Sequence, residues 1–151
     1  IEQPLVLGAS LAGANSRQLE ALRAFGRPVG MAFQLRDDLL GVFGDAAVTG
    51  KPAGDDLREG KRTALIAVAR GRLDAEGQET LDAALGDTTL GADRIRELQS
   101  MIEATGAPDE IERMIAGYAD EADAALSGAP LDAEAITDLR ALATAATSRS
   151  A

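Results

Sequence analysis

Apolar residues recur three or four positions apart along most of the chain, and nowhere does the sequence alternate as a half-buried strand would. Leu19, Leu22, Phe25, Val29, Phe33, Leu40 and Phe43 keep this spacing except between Phe33 and Leu40. They predict one long helix from an Asn15-Ser16 cap to about Gly44, apolar over most of its circumference around residues 29–43. Ahead of it, Pro4 suits a first helical turn, and residues 5–14 continue as a helix. Gly8, Ala9, Ala12 and Gly13 would let another helix approach that segment closely. Residues 45–54, with Thr49-Gly50-Lys51-Pro52-Ala53-Gly54, carry the chemistry of a loop. Asp55 or Asp56 then caps a helix to about Arg72, and further helices are expected over 75–85, 92–105, 108–127 and 132–147, separated by Gly, Pro and Asp. No internal repeat is evident.

Composition turns this pattern into a fold class. The 151 residues suffice for one domain with a sizeable core, and 46% hydrophobic with 26% charged residues is an ordinary globular mixture. Aromatics make up only 3%, so the core must come from Ala, Leu, Ile and Val, and a single all-α domain over residues 1–151 is expected. Cysteine and histidine are both absent, which excludes disulfides, thiolate metal sites and a histidine base. Any metal bound here must be hard and held by oxygen.

Charge narrows the partners. Residues 1–66 hold eight basic and eight acidic side chains, whereas residues 67–151 hold seven basic and seventeen acidic, giving a net charge of −10. Such a surface repels phosphate backbones, so no nucleic-acid partner is expected. The apolar runs are far too short for a bilayer span, and the N-terminus lacks the features of a signal peptide, so the expected location is cytoplasmic. The chain starts without methionine on a small-residue helix that has nothing before it to pack on, and it is therefore expected to be a fragment.

Chemistry concentrates on one stripe of the long helix. Gly30, Gln34, Asp37, Asp38 and Gly41 share a face flanked by Met31, Phe33, Leu35, Leu39, Leu40 and Val42. Two adjacent carboxylates in apolar surroundings stay ionised only beside Mg²⁺, Lys, Arg or water. The plain alternative is a solvated pair near Arg36 or Arg58. Glycines at 30 and 41 each cost about 1 kcal/mol in a helix interior, which points to something approaching that face closely. The chain's only two lysines, Lys51 and Lys61, lie in the segment that follows, although thirteen of the chain's fifteen basic residues are Arg. A compact ammonium is suited to a phosphate. Asp55 and Asp56 could equally be helix caps, and Thr63 a satisfied helix hydroxyl.

The string from Gly30 to Gly41, GMAFQLRDDLLG, followed by Thr49-Gly50-Lys51, Gly54-Asp55-Asp56 and Gly60-Lys61-Arg62-Thr63, resembles the second aspartate-rich region of the polyprenyl synthetases. That family includes the farnesyl and geranylgeranyl diphosphate synthases. The resemblance implies the C-terminal helices of the isoprenoid synthase helical bundle, truncated to the latter half of the catalytic domain. It further implies that Asp37 and Asp38 hold a Mg²⁺ ion gripping an allylic diphosphate, with Gln34 beside them. Lys51 and Lys61 would bind the diphosphate directly, and Asp56 would be an outer-shell acid.

In activity, the resemblance implies a Mg²⁺-dependent prenyltransferase that condenses an allylic diphosphate with isopentenyl diphosphate, as a homodimer, with geranylgeranyl diphosphate the expected product. Gly41 departs from the pattern, which often has a third aspartate there. The first aspartate-rich motif is also missing, so the chain is expected to be inactive alone. The alternative function is a non-catalytic helical subunit that modulates a complete synthase.

Overall fold

Asn15 opens the longest helix with a reciprocal pair of bonds. Its Oδ1 accepts the amide of Gln18 at 3.1 Å, and its own amide donates to Gln18 Oε1 at 3.0 Å, so a capping box stands where the sequence placed the cap. The computed structural model describes residues 1–45, 50 and 53–148. Among these the elements are α1 (Glu2–Leu11), α2 (Ser16–Phe43), α3 (Asp55–Arg58), α4 (Ala64–Arg72), α5 (Ala75–Ala84), α6 (Ala92–Ala104), α7 (Ala107–Leu126) and α8 (Ala133–Thr147). The fold is all-α, as expected, with no strand among the described residues.

Most helix ends fall within a residue or two of their predicted positions. The helix α1 stops at Leu11, short of residue 14, because the amides of Gly13 and Ala14 turn back to the carbonyls of Ser10 and Ala9. The larger correction concerns residues 55–72, which form two helices rather than one. Gly60, at φ +70°, ends the short α3. Its amide donates to Leu57 O and the Lys61 amide to Asp56 O, the paired bonds of a helix closed by a left-handed residue. Helix spacing continues through this break, so periodicity alone could not reveal it.

The chain divides into two compact units. The first comprises Ile1–Gln34 and Met114–Arg149. Its core gathers Phe25, Val29, Ala122, Leu126 and Ala146, with Leu5, Phe33, Ile136 and Leu139 packed against them. Here α1 meets α2 at Gly26, where an added Cβ would stand 2.9 Å from Glu2 Cα. Close approach thus occurs at a glycine the pattern did not single out. Gly8 and Gly13 face open space among the described residues, and Leu7 and Leu11 are exposed.

The second unit is Leu35–Arg113. Leu35, Leu39 and Val42 of α2 are buried there, as are Leu57, Leu65, Ile66, Leu81, Ile95, Leu98, Ile102 and Ile111. Each such side chain contributes about 1.5–3 kcal/mol on leaving water. Gln99 of α6 donates to the Val42 carbonyl at 2.6 Å, satisfying one of the last acceptors of α2. Among the described residues, no helix is long and apolar enough to cross a membrane.

Candidate active site

The polar stripe of α2 is not uniform. Gln34, last residue of the first unit, and Asp37 are exposed, whereas Asp38 is only 6% exposed. Asp38 Oδ2 accepts the amide of Ala64 at 3.3 Å. Ala64 is the first residue of α4, so the carboxylate sits where a helix N-terminus presents unpaired amides and partial positive charge. Amides and partial positive charge at a helix start favour a carboxylate placed against them. Arg36 makes a bidentate pair with Glu112 at 2.5 and 2.7 Å, and Arg58 donates to the carbonyls of Leu90 and Ala53, both at 3.1 Å.

Asp56 is also 6% exposed. Lys61 Nζ donates to its Oδ1 at 2.6 Å and lies 2.8 Å from Glu59 Oε2. The Asp56 hydrogen bond, then that of Glu59, holds the Lys61 ammonium well above its ordinary pKa. On its other side, Asp56 lies against Gly41. A Cβ added at Gly41 would stand 2.8 Å from Oδ1 and closer still to Cγ and Oδ2. The close approach expected at the two glycines is therefore real at Gly41. At Gly30 the nearest atom to an added Cβ is Ile1 Cβ at 4.0 Å, an ordinary contact.

The backbone around α3 fixes this geometry. Gly54 precedes the helix at φ +72°, and a Cβ there would meet Ile95 Cγ2 at 2.5 Å, so both conformation and space demand glycine. The Gly86 amide donates to Leu57 O at 2.9 Å, holding the end of α3 in place. Asp55 and Asp56 are not caps, because Gly54 takes the N-cap position with no side-chain bond. Thr63 is the cap instead, its Oγ1 accepting the Ile66 amide of α4 at 3.4 Å. Lys51, with Thr49, lies outside the described residues.

Asp37, Asp38, Asp56 and Lys61 thus belong to one unit. Among the described residues no group of three acidic side chains, or of other ligand types, is close enough to cage a metal ion. Mg²⁺ seldom uses such cages. It is commonly held by one or two carboxylates together with phosphate oxygens and water, and an oxygen-only donor set with a buried carboxylate and an adjacent ammonium fits that habit.

Residues 1–102 match the sequence profile described as polyprenyl synthetase, which is more than half of the chain. The chain belongs to the polyprenyl synthetase family. It is 39% identical over 135 residues to the geranylfarnesyl diphosphate synthase of Aeropyrum pernix, covering 89% of this chain and 41% of that one. Its structure resembles that of a geranylgeranyl pyrophosphate synthase from Corynebacterium glutamicum complexed with isoprenyl diphosphate and magnesium. That likeness has a TM-score of 0.94 at 44% identity, over 99% of this chain and 43% of the other. A polyprenyl synthase from Caulobacter crescentus, complexed with calcium and isoprenyl diphosphate, gives 0.82 at 37% identity, over 97% and 44%. The chain therefore spans about two fifths of the length of these three relatives.

Within this polyprenyl synthetase chain, sequence reasoning overlooked Glu59, the second partner of Lys61, and the Ala64 amide that receives Asp38. For Glu59 a signal existed, since it lies two residues from Lys61 across the helix-ending Gly60. The Ala64 amide left no signal, because every residue except proline carries one.

Proposed function

We propose that the protein is a Mg²⁺-dependent trans-prenyltransferase that joins an allylic diphosphate to isopentenyl diphosphate and releases diphosphate. The observation that carries this reading is the buried Asp56 carboxylate 2.6 Å from Lys61 on the unit that also holds Asp37 and Asp38. Asp37 and Asp38 would hold the metal. Asp56 would act from the outer shell, and Lys51, Lys61 and Gln34 would take the substrate diphosphate. When bound, Mg²⁺ supplies positive charge to the departing diphosphate oxygens.

The chain's own residues prepare for that charge. The Ala64 amide at the start of α4 donates to Asp38 and helps fix its carboxylate in direction. Asp56 and Glu59 hold the Lys61 ammonium in place and protonated, ready to exchange a carboxylate oxygen for a phosphate oxygen. Stabilising a leaving group this way needs no protein nucleophile, which suits a chain without cysteine or histidine. The reading includes a cytoplasmic homodimer making geranylgeranyl diphosphate.

The test is a titration of the chain with Mn²⁺ and inorganic pyrophosphate, followed by paramagnetic broadening of its amide signals. Broadening centred on residues 37, 38 and 56 is expected, and broadening elsewhere would overturn the assignment. Supplied with dimethylallyl and isopentenyl diphosphates, the 151-residue chain alone is expected to show no turnover.

A further inference from the structure

Asp55–Arg58 make a single helical turn, too short to hold its shape without help. Yet this turn carries the buried Asp56, and its end sets the backbone of Lys61, whose amide donates to Asp56 O at 3.0 Å. Three ties from residues 86–95 brace it. The Gly86 amide donates to Leu57 O at 2.9 Å, Ile95 occupies the space beside Gly54, and Arg58 reaches the Leu90 carbonyl. Arg58 also turns back on its own entry: Nε donates to Leu90 O and Nη1 to Ala53 O, both at 3.1 Å. We propose that Arg58 is a positioning residue for the substrate diphosphate, its guanidinium clamping α3 between two backbone carbonyls so that Asp56 presents the Lys61 ammonium. This role rests on the reading of Lys61 as a diphosphate ligand.

The shape of the contact makes it specific. Both acceptors are neutral carbonyls, so Arg58 serves here through the layout of its donors. A guanidinium offers them in a rigid fork, whereas a lysine ends in a single nitrogen on a flexible stem. Ala53 lies just ahead of α3 and Leu90 just ahead of α6, so the two bonds fix the turn against α6 as well as at its own start. The Lys61 side chain is 42% exposed and that of Asp56 only 7%, so the direction of the ammonium follows from where the buried carboxylate stands. A shift of α3 therefore moves both.

Calorimetric titration of the 151-residue chain with inorganic pyrophosphate in the presence of Mg²⁺ tests the clamp. Arg58→Lys keeps the charge and loses the fork, and is expected to weaken binding about fivefold, as Arg58→Gln does. Lys61→Gln is expected to weaken it about tenfold, and adding Arg58→Lys to that variant to weaken it by no more than about twofold further, because the clamp acts through the lysine. Parental affinity in Arg58→Lys, or losses that add in the double variant, would overturn the proposal. Loss of the whole fold in Arg58→Lys would overturn it too, since Arg58 would then serve the fold at large.

The two lysines provide a second measure that needs no ligand. A chain labelled with ¹³C at lysine Cε gives two side-chain signals, of which Lys61→Gln removes one. In the parent the two Hε protons of Lys61 are expected to be inequivalent, as in an anchored ammonium, and in Arg58→Lys to merge. A Lys61 signal unchanged by Arg58→Lys would overturn the clamp while leaving the diphosphate reading intact. Pyrophosphate affinity unchanged by Lys61→Gln would overturn both.

Discussion

Asp38 Oδ2 accepts the amide of Ala64 at 3.3 Å, joining the acidic stripe of α2 to the first residue of α4. Asp38→Ala would leave that amide without its acceptor and is expected to cost about 1–2 kcal/mol in denaturant unfolding. Asp38→Asn retains an acceptor and should cost less, yet should weaken Mn²⁺ binding as much as Asp38→Ala does. Asp37 is exposed, so Asp37→Asn is expected to change stability by no more than about 0.5 kcal/mol while still weakening Mn²⁺ binding.

Lys61 is held protonated above its ordinary value of 10.5, first by Asp56 and then by Glu59. A raised lysine pKa stabilises the fold fully below the unfolded value and loses that contribution as pH rises through the folded one. The stability difference between the parent and Lys61→Gln should therefore be flat from pH 7 to 10 and shrink in more alkaline solution. A difference that grows above pH 10.5 would contradict the pairing with Asp56.

Glu110 behaves in the opposite sense. Arg113 at 2.5 Å and Arg72 at 2.9 Å lower its pKa from 4.5, with Arg113 the larger cause. A depressed carboxylate pKa stabilises above the unfolded value and ceases to do so as pH falls through the folded one. Melts of the parent and Glu110→Gln should differ at pH 7 and converge below about pH 4.5.

Gly54→Ala combines a left-handed backbone with a collision against Ile95. Together these should cost roughly 2–4 kcal/mol. Ile95→Ala in the same chain should recover part of the loss attributable to the collision, since it removes the atoms that Cβ would strike. No recovery would place the whole cost in the backbone.

Helical spacing, the absence of alternation and the Asn15-Ser16 cap were enough to predict α2 and most later helices, because these depend on residues within a turn or two of one another. The order of Asp37, Asp38, Lys61 and Asp56 in a recognisable string was equally local. Position 41 was visible as a departure from the family pattern, and glycine there was visible as a cost, but neither named the group that would use the space.

The sequence by itself determined an all-helical chain of the polyprenyl synthetase family and the residue types of its site. Only the tertiary structure decided that Asp38 is buried while Asp37 is exposed, that Gly60 divides one expected helix into two, and that Asp56 lies in the space left by Gly41. The reason is distance along the chain. Helix period and capping are set by neighbours three or four residues apart, whereas the Asp38–Ala64 and Gly41–Asp56 approaches join positions 26 and 15 residues apart and arise when separate helices pack.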